Sequence, residues 1–224
     1  MTDRHIVAIG GGALDASRGI LREILDLTGA SRPRVCYLPT ATGDHPSWIV
    51  GFYTRMGGDV RATHLPLFER TRDDVREVLL DQDAILVAGG NTANLLAIWR
   101  IHGVDVALRE AWERGIVLAG GSAGGNCWFE ASTTDSFGPD LEPLHGGLGF
   151  LEGSFCPHYD SEEQRRPLYT RLVGEGFPAG YAATDDAAAH FVGTTFDRAI
   201  TQRDDARVYR VERSDHGSVL ERPL

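Results

Sequence analysis

Short apolar segments that end in glycine-rich turns recur along this chain, and they constrain its fold more than any other feature. Three of them are residues 5–9 before Gly10-Gly11-Gly12, residues 84–88 before Gly89-Gly90, and residues 116–119 before Gly120-Gly121. Helical patterns lie between such segments, and this alternation predicts a mostly parallel β-sheet with helices on both faces. Residues 84–88 are almost wholly apolar, which is typical of a central strand buried on both sides.

The remaining patterns extend this α/β interpretation over the whole chain, residues 1–224, as a single domain. Further strands are predicted at 35–38, 60–65, near Tyr181, at 187–192 and, as an edge strand, at 207–212. Helices are predicted from Ser17 to Leu27, at 48–56, from Thr71 to about Leu80, around Leu95 to Trp99, and at 104–114 and 162–173. A short helix is expected after residue 122, and residues 138–150 have the composition of a loop.

Composition excludes several classes of function. The formal net charge is −10, and this disfavours binding to a phosphate backbone, so no nucleic-acid partner is expected. The three cysteines, Cys36, Cys127 and Cys156, have no disulfide or metal-site spacing. No signal-peptide or membrane-spanning run is visible, so we expect a cytoplasmic protein without a membrane partner. A homodimer is left open.

The segment Gly120-Gly121-Ser122-Ala123-Gly124 matches the G-x-S-x-G pattern of a nucleophilic serine on a sharp strand-to-helix turn. Residues without bulky side chains allow the backbone to turn closely around such a serine. The alternative interpretation is a glycine-rich turn with an incidental serine, but the apolar strand before it favours the nucleophile.

Backbone N–H groups near this serine are candidates for stabilising a negatively charged oxygen. The carboxyl ends of parallel strands share one edge of the sheet, so the N–H groups of Gly90 and Ala123 can form an oxyanion hole. The first glycine-rich turn lacks the spacing of a dinucleotide site, because Asp15 occupies the position of the last glycine.

A serine nucleophile needs a general base, and the chain has eight histidines. His158 is favoured because the segment Phe155-Cys156-Pro157 delivers it from a short apolar strand to the same edge. Spacing alone leaves the other histidines open, including His190 in a strand. The acid that orients the base is open as well: Asp185 and Asp186 precede a late strand, and Asp135 follows the serine turn.

Four motifs in this order resemble peptidase family S51, which includes dipeptidase E and cyanophycinase. They are Gly89-Gly90-Asn91-Thr92, residues 120–126 around Ser122, Cys156-Pro157-His158-Tyr159, and residues 184–189 around Asp186. The resemblance implies a fold like that of class I glutamine amidotransferase domains, which is flavodoxin-like.

The resemblance implies Ser122 as nucleophile and His158 as base. It implies Asp186 as the favoured orienting acid and Asp135 as the second choice. Substrate contacts would come from Asn91, Arg165 and Arg166. The segment after His158 is shorter than in dipeptidase E, where it carries an arginine that contacts the substrate aspartate, so strict aspartyl specificity is not predicted.

Together these patterns predict a serine peptidase that hydrolyses short peptides through an acyl-enzyme, with no metal or cofactor. Two alternatives remain. The order Ser122, Asp135, His158 is also that of α/β-hydrolase esterases. A non-catalytic small-molecule binder could use the same glycine-rich edge.

Overall fold

The computed structural model describes residues 3–12, 18–58, 60–69, 74–214 and 216–224. The helices are α1 (Arg18–Leu27), α2 (Pro46–Met56), α3 (Val75–Leu80), α4 (Thr92–His102), α5 (Val104–Glu113), α6 (Ala123–Asn126) and α7 (Arg165–Gly174). The predicted helix starts at Ser17 and Thr71 lie outside the described residues. No helix among those described is long and apolar enough to cross a membrane.

The strands form two sheets. The first contains β1 (His5–Ile9), β2 (Arg34–Leu38), β3 (Arg61–His64), β4 (Ala84–Val87), β5 (Val117–Gly121), β10 (Ala187–Val192) and β11 (Thr195–Thr201). The second contains β6 (Phe129–Thr134), β7 (Glu142–His145), β8 (Leu151–Cys156), β9 (Gly180–Ala183), β12 (Val208–Arg213) and β13 (Val219–Pro223).

The first sheet has the strand order β11-β10-β1-β5-β4-β2-β3. Neighbouring strands from β1 to β3 in this order pair in parallel, whereas β10 pairs antiparallel with β1 and with β11. The predicted α/β fold with a mostly parallel sheet is therefore confirmed. Because β1, β5 and β4 are neighbours, the glycine-rich turns that follow them lie together at one edge.

Both faces of this sheet are buried, which explains why its central strands are continuously apolar. Successive side chains of a strand point to opposite faces. Val7 and Ile9 of β1 pack with α1 and α2, while Ile6 and Ala8 belong to the core formed with α4 and α5. The helices thus cover both faces, as predicted.

The second sheet was not predicted from the sequence. Its order is β13-β12-β9-β8-β6-β7, with parallel pairing only among β9, β8 and β6. The segment 138–150, expected to be a loop, contains β7, and the predicted edge strand β12 lies between β9 and β13. The helix expected after Ser122 is α6, which has 4 residues.

Aromatic side chains join the two sheets. Phe129 of β6 stacks on Phe155 of β8, with ring centroids 5.2 Å apart, and meets Phe191 of β10 edge-on at 5.7 Å. All three side chains are almost fully buried. The contact holds the second sheet, and the loop that follows β8, against the first.

We expect Phe129→Ala to lower the free energy of unfolding by about 3–5 kcal/mol, because it removes a buried ring that contacts both sheets. The measurement is chemical denaturation followed by circular dichroism. Phe137→Ala is the matched control, since Phe137 is 63% exposed and its truncation should change the unfolding free energy little. Equal losses for the two variants would contradict this account of the junction.

Candidate active site

Three consecutive carbonyl groups at the end of β1 bind the backbone of the three candidate segments. The Ile9 carbonyl accepts from the Ser122 amide at 3.0 Å, the Gly10 carbonyl from the His158 amide at 3.1 Å, and the Gly11 carbonyl from the Asp186 amide at 3.2 Å. Ser122 and His158 are 36 residues apart along the chain, and His158 and Asp186 are 28 residues apart. The hydrogen bonds bring all three residues to one turn. No role in the site was predicted for this glycine-rich turn from the sequence.

Ser122 lies in a strained turn between β5 and α6. Its φ is 53° and its ψ is −115°, a combination that L-residues rarely adopt. The two glycines of G-x-S-x-G permit the turn by close approach: a Cβ on Gly120 would lie 2.4 Å from the Gly124 carbonyl oxygen, and one on Gly124 would lie 2.5 Å from that of Val87. Backbone strain of this kind concentrates at functional sites.

His158 is paired with Asp185. The Nδ1 atom of His158 lies 2.8 Å from Oδ1 of Asp185, and the two side chains are 20% and 24% exposed. In a neutral imidazole whose Nδ1 donates its hydrogen to this carboxylate, Nε2 carries the lone pair and is the nitrogen left for another partner. His158 has a positive φ of 52°, so its backbone is also held in an uncommon conformation.

Asp186, the favoured acid of the sequence analysis, does not contact His158 in this structure. Asp185 pairs with Gly11 in an isolated parallel bridge, and its side chain turns toward His158. The next side chain points elsewhere: Oδ1 of Asp186 accepts a hydrogen bond from Gln202 at 2.9 Å, and Oδ2 lies 3.7 Å from Arg203. The carboxylate that contacts His158 is therefore that of Asp185 and not that of Asp186.

Asp135, the second choice, is exposed in the turn after β6. Its carbonyl accepts a hydrogen bond from the Gly138 amide. The hydrogen bond and ion pair of His158 in the described part of the chain are made with Asp185 and not with Asp135.

Asp160 and Arg203, neither of which was predicted from the sequence, support the His158–Asp185 pair. Oδ1 of Asp160 accepts a hydrogen bond from the Asp185 amide at 2.8 Å. Oδ2 of Asp160 accepts one from Arg203 at 2.8 Å. Asp160 follows His158 by two residues, so one short segment carries both the imidazole and the group that fixes its partner.

The Gly89-Gly90 turn lies beside Ser122. A Cβ on Gly89 would be 3.3 Å from the Cβ of Ser122, and Gly90 has a φ of 135° with the Ala41 carbonyl oxygen only 2.4 Å from a hypothetical Cβ. Asn91 caps α4, because its side-chain Oδ1 accepts a hydrogen bond from the backbone amide of Asn94. Its side-chain Nδ2 donates a hydrogen bond to the Ser136 carbonyl. Its side chain is therefore used in holding this turn.

Arg165 and Arg166 are engaged elsewhere and do not line the cavity beside Ser122. Arg165 is 2% exposed and donates to Glu162 and to the Thr133 carbonyl. Arg166 forms an ion pair with Glu221 at 2.9 Å and lies over the Tyr159 ring. Their predicted substrate contacts find no support in these positions.

Ser122 and His158 line the same cavity, whose volume is about 390 Å³. Its other described lining residues come from the ends of β1, β2, β4 and β5, from the turns after β1 and β4, and from α2: Ile9, Gly11, Gly12, Tyr37, Trp48, Phe52, Arg55, Met56, Val87, Ala88, Gly89, Gly90 and Gly121. The contribution of α2 to the cavity was not predicted from the sequence. Burial raises the pKa of Tyr37 to about 12, so its hydroxyl is neutral here at physiological pH.

Other nucleophiles and bases in the described part of the chain are poorly placed. All three cysteines are buried, and burial raises the pKa of the Cys156 thiol to about 12. His190 is buried, pairs with His5 at the opposite end of β1, and has its pKa lowered by that burial. No group of three or more potential metal-ligating side chains occurs among the described residues.

Comparison with known proteins identifies the family. The sequence model of peptidase family S51 matches residues 6–199. The chain is 44% identical to the uncharacterized peptidase YgaJ of Bacillus subtilis over 99% of this chain and 97% of that protein. It is 31% identical to peptidase E of Streptomyces coelicolor over 63% of this chain and 59% of that protein.

Solved structures agree in fold. A peptidase from an acI-B1 actinobacterium superposes with a TM-score of 0.73 at 16% identity, over 99% of this chain and 94% of that one. A peptidase E-like protein of Listeria monocytogenes has a TM-score of 0.66 at 18% identity, over 90% and 99%. The chain belongs to peptidase family S51. It is a peptidase, a hydrolase of peptide bonds.

We expect Asp185→Asn to lower kcat/KM for peptide hydrolysis by about 10³-fold, because an amide no longer fixes the imidazole tautomer. Asp186→Asn is the matched control: it changes the neighbouring carboxylate in the same way and should cost less than about tenfold. Steady-state kinetics with one peptide substrate measure both. The reverse ranking would restore Asp186 as the orienting acid.

Gly11→Ala should also impair activity. A Cβ at this position would lie 2.1 Å from Oδ1 of Asp185 and 2.3 Å from the His158 ring, so the pair must move. Displacements of this size at a reacting centre lower rates by about 100-fold. Gly138→Ala, where a Cβ would meet no atom within 4 Å, is the control and should keep wild-type kcat/KM. Wild-type kinetics in Gly11→Ala would contradict the packing described.

Proposed function

We propose that this chain is a serine peptidase that hydrolyses short peptides through an acyl-enzyme on Ser122. The observation that carries the proposal is that one cavity is lined both by Ser122, whose backbone is strained, and by His158, which is paired with Asp185. The family match supports peptide hydrolysis, and the contacts suggest which side chains perform it.

In the first step, Nε2 of His158 removes the proton from Oγ of Ser122 as that oxygen attacks the scissile carbonyl carbon. Asp185 accepts the Nδ1 hydrogen and stabilises the imidazolium that forms. The C–N bond then breaks, and His158 returns the proton to the leaving nitrogen, which departs as an amine. The acyl group remains as an ester of Ser122.

The second step repeats the chemistry with water. His158 removes a proton from a water molecule, whose oxygen attacks the ester carbonyl carbon. The ester C–O bond breaks, Oγ of Ser122 regains a proton from His158, and the free acid leaves. These steps use side chains and water, and they require no metal or organic cofactor.

Stabilisation of the oxyanion is assigned to the N–H groups of Gly90 and Ala123. Ala123 is the first residue of α6, and the first amides of a helix have no acceptor within it. Gly90 belongs to the turn packed against Ser122 and carries a φ that favours glycine. Two donors aimed at the developing negative charge lower the barrier without reorganising at the moment of reaction.

The cavity supports a substrate of dipeptide size. Small-molecule sites typically enclose about 300–1,000 Å³, and this one, at about 390 Å³, is near the lower bound. A long polypeptide would need an open groove. We therefore propose a dipeptidase-like activity, in keeping with the probable α-aspartyl dipeptidase of Drosophila melanogaster to which 67% of the chain aligns at 27% identity.

The two alternative functions are less well supported. An α/β-hydrolase esterase places its acid between serine and histidine in the chain. Here Asp185 follows His158, and Asp135 is exposed in a turn. A non-catalytic binder would not require a strained serine, because the conformation of Ser122 has an energetic cost that ligand binding alone does not explain.

We expect Ser122→Ala and His158→Ala each to lower kcat for a dipeptide by at least about 10⁴-fold, because each removes a partner of the same proton transfer. The control is His102→Ala, which removes an exposed histidine at the last turn of α4 and should keep wild-type kcat. Circular dichroism verifies that each variant is folded. A wild-type rate in either active-site variant would refute the assignment.

A covalent probe gives an independent measurement. A diphenyl phosphonate should label the wild-type protein once, at Ser122, as found by peptide mass spectrometry. Labelling at another residue, or none, would contradict an acyl-enzyme on Ser122.

A further inference from the structure

The cavity beside Ser122 has a large apolar wall. Tyr37 of β2 and Phe52 and Met56 of α2 line it and are almost fully buried, and Trp48 lines it with 45% of its surface exposed. Ile9, at the end of β1, adds apolar surface to the cavity outside this wall. Such a surface recognises an apolar group, because burying apolar area is favourable and burying an unpaired charge is not.

The sequence of α2 builds this wall. His45 caps the helix and Pro46 begins it, which fixes its first turn beside the cavity. Trp48, Phe52 and Met56 follow at intervals of four residues and so share one helix face. The Phe52 ring is held by Tyr37, with centroids 4.7 Å apart and planes 8° from parallel. Trp48 is the exposed member at the rim.

The position of the wall indicates which part of a substrate it contacts. The backbone amide of His158 donates a hydrogen bond to the Gly10 carbonyl, which places this residue at the end of β1. Under the proposed function, His158 protonates the leaving amine. The leaving amine therefore lies on that side of Ser122. The acyl portion extends the other way, past β5 and β4 toward β2, where Tyr37 and α2 line the cavity.

Few of the described lining residues carry a charge. None of them is an aspartate or glutamate, and Arg55 of α2 supplies one cation. Arg55 lies close enough to Tyr37 to oppose the rise in the pKa of that hydroxyl. A carboxylate side chain of a substrate would thus meet one cation among several apolar groups, whereas an aromatic or large aliphatic side chain would be surrounded by matching surface.

We propose that this wall is the specificity pocket for a large apolar side chain on the residue that supplies the scissile carbonyl. The inference rests on the proposed function, because it takes Ser122 as the nucleophile and His158 as the proton donor. The substrate class is then dipeptides that begin with an aromatic or large aliphatic residue, and Trp48 is a residue that determines this preference.

The experiment uses three aminoalkyl diphenyl phosphonates that differ only in side chain: benzyl, methyl and carboxymethyl. In each reaction the Oγ–P bond forms, the P–O bond to one phenoxy group breaks, and phenol leaves with the serine proton. The second-order rate constant of inactivation therefore reads the side-chain preference directly. We expect the benzyl compound to react at least about tenfold faster than the other two, as a filled apolar pocket contributes at least that much.

Two variants of α2 test whether the wall produces the preference. Trp48→Ala shortens the apolar rim and should lower the benzyl-to-methyl ratio about tenfold. Val50→Ala is the matched control, because Val50 is 64% exposed on the same helix and does not line the cavity. Its ratio should equal that of the wild type. Thermal denaturation of both variants verifies that the comparison is between folded proteins.

The outcomes separate this inference from the proposed function. Faster reaction of the carboxymethyl compound, with that advantage lost in Arg55→Gln, would overturn the apolar pocket while leaving Ser122 as the nucleophile. A benzyl preference that Trp48→Ala leaves intact would overturn the assignment to this wall. Absence of any adduct on Ser122 with all three compounds would refute the proposed function and the inference together.

Discussion

The site depends on the backbone at the end of β1. Three successive carbonyls, those of Ile9, Gly10 and Gly11, accept hydrogen bonds from the amides of Ser122, His158 and Asp186. The turn can approach these segments because it has no side chains at its glycines: a Cβ on Gly10 would lie 2.2 Å from the Thr184 carbonyl oxygen, and one on Gly11 would overlap the His158–Asp185 pair. A buried strand thus acts as a common reference for segments that are distant in sequence.

The junction between the two sheets explains how His158 reaches this turn. The residue follows β8 of the second sheet, whereas Ser122 follows β5 of the first. Phe129 and Phe155 pack the second sheet against Phe191 of the first. The relative position of His158 and Ser122 is therefore set by aromatic packing as well as by the hydrogen bonds of the turn.

Much of the first sheet could be predicted from the sequence, because β1, β4 and β5 are short apolar runs that end in glycine. Ser122 was predicted because it follows one of these runs. His158 was predicted because the segment Phe155-Cys156-Pro157 before it has the pattern of a short apolar strand. The acid was harder to assign. Asp185 and Asp186 are adjacent aspartates, and the contacts that hold Asp185 at the imidazole are tertiary: its bridge with Gly11 and the hydrogen bond from its amide to Asp160. The second sheet was missed because its outer strands, β7 and β13, are largely exposed and have no continuous apolar run. The apolar wall was missed because α2 joins the cavity only through tertiary packing.

Strained backbone is concentrated at this site. Four described residues other than glycine have a positive φ, and three of them are Ser122, His158 and Asp186. Conformations of this kind cost about 1–3 kcal/mol each, a large part of the net stability of a protein. Activity and robustness are therefore opposed at these positions. Selection of variants for thermal stability alone would favour glycine at these positions, because glycine adopts a positive φ without strain. The most stable variants would then have lost Ser122 or His158.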